Sequence, residues 1–120
     1  MSLDVYLSRK RWISYDEGKT FTEDEEQVYS ANITHNLAQM ADKAEIYNAL
    51  WCPEAIGKTK AGEIVGLLET GLAKLKASPK YYKIFNSPNG WGMYEHFVPF
   101  VEEYLEACKK FPDAIISISR

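Results

Sequence analysis

Long apolar runs are missing from this 120-residue chain. No stretch approaches the roughly 18 to 20 hydrophobic residues that a membrane helix requires, and the first residues do not pair a charged start with an apolar segment as a secretory leader does. The expectation is a cytoplasmic protein without membrane association. Cysteine is scarce. Cys52 and Cys108 lie far apart, each on an apolar helical pattern, so in a reducing compartment they read as small buried hydrophobes rather than as a disulfide. Histidine is as scarce, with only His35 and His96. A metal site would have to use them with Glu95, but adjacent helical residues point about 100° apart and chelate poorly, so neither a metal nor a cofactor is expected. A surplus of positive charge is also lacking, and the net charge of −3 disfavours nucleic acid as a partner. Gly57-Lys58-Thr59 invites comparison with a phosphate-binding P-loop. It fails because Cys52 stands where the first glycine is needed and no strand leads into it.

What is present describes one folded domain spanning 1-120, with 46% hydrophobic and 26% charged residues. Leu3, Val5 and Leu7 alternate with polar neighbours, the period-two pattern of a strand over residues 2–8. Arg9-Lys10-Arg11 then reads as a solvated strand end. Trp12 to Tyr15 run into Asp16-Glu17-Gly18-Lys19, a turn able to close a hairpin, and Glu23-Asp24-Glu25-Glu26 reads as an exposed, self-repelling loop. Val28 to Ala31 have strand character, and the period changes to helical at Asn32 to Asn36. Leu37, Met40, Ala41, Ala44, Tyr47, Leu50 and Trp51 form one apolar stripe, with Asn32 or Thr34 placed to cap the helix and Pro53 to end it. Ile64 to Leu75 form a second helix, stopped by Ser78-Pro79, in which Gly66 and Gly71 would permit close packing. Tyr94, Phe97, Val98, Val101, Tyr104, Leu105 and Cys108 mark the buried face of a third, interrupted by Pro99, beside which an irregularity is expected. Ile116 and Ile118 alternate with serines in a final strand.

Three main helices between an N-terminal strand region and one C-terminal strand imply an α+β fold, with the helices packed on one face of a small, mainly antiparallel sheet. The terminal strand needs a partner, and the N-terminal strand is the expected one. Its apolar, uncharged sequence predicts that it is internal to the sheet or covered across a homodimer interface.

The densest concentration of turn, aromatic and polar residues is Asn86 to Phe97, where a Ser-Pro and Asn-Gly turn hands over to the third helix. His35 and His96 each fall at a predicted helix start. If the two starts converge, Asn32, His35, Asn36, Asn89, Trp91, Glu95 and His96 would line a binding site: histidines and helix amides for a polar or phosphate-bearing group, and the Trp91 face for a stacked ring. The same residue types also serve simply as caps and turn formers. Segments 30–37 and 89–100, with Leu50-Trp51 and Pro53 between them, resemble a group of small uncharacterised bacterial and phage proteins. The resemblance runs through most of the chain to the serine-rich strand ending at Arg120. It implies a bacterial or phage origin and a cytoplasmic setting, and no activity. Three functions follow as expectations. The first is a small binding protein for a polar, nucleotide-like or phosphate-bearing metabolite; the second is a protein-protein interaction or inhibitor protein. The third is a small hydrolase or lyase using His35, Glu95 and His96.

Overall fold

A three-stranded antiparallel sheet in the order β2-β1-β3 carries the molecule, and all its helices lie between β2 and β3 in the chain. The computed structural model describes residues 2–14 and 16–120, so Tyr15, expected at the entrance to the first turn, lies outside the described residues. β1 spans Ser2–Ile13, β2 Thr22–Thr34 and β3 Ile115–Ser119. Helices α1 (Ala38–Lys43), α2 (Tyr47–Trp51), α3 (Val65–Ala77), α4 (Pro79–Lys83) and α5 (Tyr94–Lys110) follow one another across one face of the sheet. The fold is α+β. Among the described residues no helix is long and apolar enough to cross a membrane.

The alternation read from β1 places Leu3, Val5 and Leu7 at zero exposure. Register aligns them with Ile33, Ala31 and Tyr29 on one side, and aligns Val5 and Leu7 with Ile118 and Ile116 on the other, giving a continuous apolar sheet face. Against it α5 buries Phe97, Phe100, Val101, Tyr104, Leu105, Ala107 and Cys108. Phe100 and Ala107 widen the expected stripe, whereas Tyr94 and Val98 are only half-buried. Pro99 sits within α5, and the helix runs through it unbroken. The missing amide falls opposite exposed Glu95, where solvent can satisfy the free carbonyl.

Three departures from the sequence reading have physical causes. The first helix is not continuous: Glu45 adopts a left-handed φ of 64°. The Ile46 N–H then donates to Ala41 O at 2.9 Å and the Glu45 N–H to Asp42 O at 3.0 Å, a helix-ending motif that separates α1 from α2. Periodicity survives the break because Ile46 is fully buried there. Gly71 of α3 faces it so closely that a Cβ would stand 2.2 Å from Ile46 Cγ2.

The acidic run is not a loop. Glu26, Glu25 and Asp24 pair in register with Arg9, Lys10 and Arg11. The ion pairs are Arg9 Nε to Glu26 at 3.1 Å, Arg11 Nη2 to Asp24 at 3.4 Å and Lys10 Nζ to Glu23 at 3.0 Å. Opposite charge across the ladder removes the self-repulsion that each run has alone. A register shift between Leu7 and Ser8 marks where this hairpin leaves the core. Beyond it the arm projects into solvent, carrying exposed Trp12 and Phe21. The resulting 59 × 27 × 23 Å body has a radius of gyration of 16.5 Å, against roughly 14 Å for a compact chain of this length.

Finally, β3 is an edge strand, not an internal one. The chain covers part of that edge itself: the Ile116 N–H donates to Thr59 O, the Ala61 N–H to Ala114 O and the Gly62 N–H to Pro112 O, all within 2.8–2.9 Å. The loop around Gly57-Lys58-Thr59 thus serves as an edge cover, and β3 needs no second copy for that purpose.

Candidate functional site

The end of β2 and the turn before α5 meet in a cleft of about 1080 Å³. Thr34 ends β2 in extended conformation, and its hydroxyl accepts from the Asn36 N–H, starting a short 3-10 turn at His35. Thr34, rather than Asn32, is therefore the cap. On the opposite wall, Asn89 Oδ1 accepts from the Ser87 hydroxyl at 2.5 Å and from the Trp91 N–H at 3.0 Å. The Ser87 N–H donates to Gly92 O at 3.0 Å. Asn86 Oδ1 accepts from the Tyr94 N–H at 2.7 Å and so caps α5.

The two walls are tied by Asn36 Nδ2, which donates to Trp91 O at 2.7 Å. Contact there is tight: Gly92 has φ +116°, and a Cβ on it would lie 2.8 Å from Asn36 Cβ and 3.3 Å from Thr34 Cγ2. Only glycine lets the turn rest on the first helical turn in this way.

Asn32, His35, Asn36, Asn89, Trp91 and His96 all line this cleft. Glu95 does not; it is exposed on α5, rotated away from His96 as successive helical residues must be. A His35, Glu95 and His96 group for hydrolase or lyase chemistry is therefore not assembled. Among the described residues no three His, Cys, Asp or Glu side chains gather to hold a metal ion.

Asn32, His35, Asn36 and Asn89 also have structural duties. Asn32 Nδ2 donates to Ser2 Oγ at 2.9 Å and to Asp4 Oδ1 at 2.6 Å. His35 Nδ1 accepts from the Trp51 indole N–H at 2.8 Å, so in the neutral ring Nε2 carries the proton. Trp51 is fixed in turn by stacking on Tyr47, centroids 5.4 Å apart, and by its carbonyl, which accepts from Arg120 Nη1 at 2.8 Å. Asn32 Oδ1, Asn36 Oδ1, Asn89 Nδ2, His35 Nε2 and the His96 ring make no side-chain hydrogen bond among the described residues. Trp91 is 72% exposed. The cleft thus offers acceptors, donors and a flat apolar face, and its lining includes no carboxylate, lysine or arginine among the described residues.

The helix starts converge, but not as open amide cradles. The Tyr94 N–H is taken by Asn86, those of His96 and Phe97 by Met93 O, and that of Asn36 by Thr34. Sequence reasoning missed Trp51 as the partner of His35 because Trp51 sits on the apolar stripe and is 2% exposed. Its indole N–H, which a buried tryptophan must satisfy, was the available signal. No protein-family model, no curated protein and no solved structure matches this chain.

Proposed function

We propose that the protein is a small binding protein that holds a polar, planar, nucleoside-like metabolite in the cleft between Trp91 and His35. The observation that carries this reading is the joint presence of an exposed tryptophan face and unengaged amide and imidazole groups of both hydrogen-bonding senses. A base edge presents donors and acceptors side by side, and its ring stacks on an aromatic surface. A charged group is served less well: His35 and His96 are the only basic side chains among the described lining residues, and His35 Nδ1 is held as an acceptor by the Trp51 N–H. Ring recognition accordingly dominates, and a phosphate would add to it through His96. Binding, not turnover, is the activity assigned, since no carboxylate lines the cleft beside the imidazoles among the described residues.

Calorimetric titration with the common nucleosides and their monophosphates tests this. At least one should bind saturably, and Trp91→Ala should weaken it about 5- to 150-fold, as loss of roughly 1–3 kcal/mol of stacking requires. The far-ultraviolet dichroism should not change. Any advantage of a monophosphate over its nucleoside should vanish in His96→Ala. A panel without saturable binding, or a Trp91→Ala variant that binds as tightly as wild type, refutes the reading.

A further inference from the structure

We propose a second binding surface: an extended acidic peptide of a partner protein adds as a strand to the free edge of β1 at residues 9–13, beside a basic cleft. β3 pairs with β1 only from Asp4 to Ser8. Beyond Ser8, among the described residues, β1 is paired on its β2 side alone, so its other edge presents unpaired backbone donors and acceptors. An exposed edge of this kind is a template for strand addition.

A cleft of about 580 Å³ opens beside Ile115, where β3 begins, and Arg9, Lys10, Lys60, Lys110 and Phe111 help to line it. Asp113 is the one carboxylate among its described lining residues. Arg9 and Lys10 are already paired to β2, whereas Lys60 and Lys110 make no ion pair among the described residues. Lys110 Nζ and Arg9 Cζ lie 5.4 and 5.5 Å from the Phe111 ring centre, so cations converge on this spot around an aromatic face. A strand added antiparallel to β1, in the line of β3, would run its C-terminal end into that cleft.

Charge decides among the occupants. A second copy pairing through the same edge would set Arg9-Lys10-Arg11 against itself, with like charges opposed. A nucleic acid following the arm would meet Glu23-Asp24-Glu25-Glu26 on the neighbouring strand. An acidic peptide confined to the β1 side avoids both repulsions and pairs with Lys60 and Lys110, the two lysines without an ion pair among the described residues.

Fluorescence polarisation with a short labelled peptide of alternating Glu and Val tests the proposal on the full chain. The peptide should bind, and the depsipeptide analogue, whose esters remove every backbone donor, should bind at least about tenfold more weakly. Lys60→Ala/Lys110→Ala, two exposed positions, should weaken the peptide by about tenfold while the melting temperature stays put. Four results overturn it: no peptide binding; equal binding of the depsipeptide; tighter binding of a single-stranded oligonucleotide; or a dimer in sedimentation that the double variant abolishes.

Discussion

Replacing Gly92 with alanine tests the joint on which the candidate cleft depends. A φ of +116° is one that residues with a Cβ rarely adopt, and the new methyl would stand 2.8 Å from Asn36 Cβ. Backbone strain of this kind costs about 1–3 kcal/mol. Relief by moving the turn would break the 2.7 Å bond from Asn36 Nδ2 to Trp91 O, a loss of about 0.5–1.5 kcal/mol. Neither neighbour can swing aside, because Asn36 Cβ and Thr34 Cγ2 are held close to the backbone of the first helical turn. The expected destabilisation is therefore about 2–4 kcal/mol. Gly90→Ala supplies the control: φ is +77°, yet nothing lies within 4 Å of the added methyl, so only conformational strain of about 1–2 kcal/mol applies. Urea denaturation of both variants, followed by far-ultraviolet dichroism, measures the difference. If Gly92→Ala is no more destabilising than Gly90→Ala, the turn does not rest on Asn36 and the cleft wall described above is wrong.

Phe97 is fully buried, so Phe97→Ala should cost about 3–5 kcal/mol in the same assay. Glu102→Ala, which removes only a half-exposed 3.3 Å ion pair with Lys76, should stay within about 0.5 kcal/mol of neutral. Burial pushes the Cys108 thiol up to about 12, so in a thiol-reagent time course Cys108 should label only at the rate of unfolding. The Lys60 and Thr59 N–H groups donate to Glu63 and hold its carboxyl below the ordinary value. A lowered folded value adds stability above the unfolded value, lost as pH falls through the folded one. The difference in melting temperature between wild type and Glu63→Gln should therefore be fully present at neutral pH and shrink progressively as pH falls below the ordinary glutamate value of about 4.3; a constant difference would contradict this.

Most of the fold could be read locally because burial imposes a period. Leu3, Val5 and Leu7 alternate, Phe97, Val101, Tyr104 and Cys108 recur at helical spacing, and Ile116 and Ile118 alternate again. Each pattern found its place on the common core. Six of the seven proposed binding residues also came together, since a strand end and a turn can be recognised by their residue types. Glu95 failed because adjacency in sequence was allowed to stand for adjacency in space. What sequence reading attributed to binding was partly architecture: Asn36 ties the two walls, and Asn89 closes its own turn.

By itself, the sequence determined which residues seek the interior, where the chain turns, and that both ends meet in one sheet. These follow from hydrophobicity and local backbone preference, which act over a few residues. Partner choice across distance was decided only by the tertiary structure. Neither charged run in the arm indicates alone that it pairs with the other, because cross-strand attraction exists only once the register is set. The break at Glu45 appears only when Ile46 drops into the core against Gly71, and His35 acquires its tautomer only when Trp51, sixteen residues on, presents its N–H. In each case the deciding energy belongs to a contact between segments that the chain alone does not bring together.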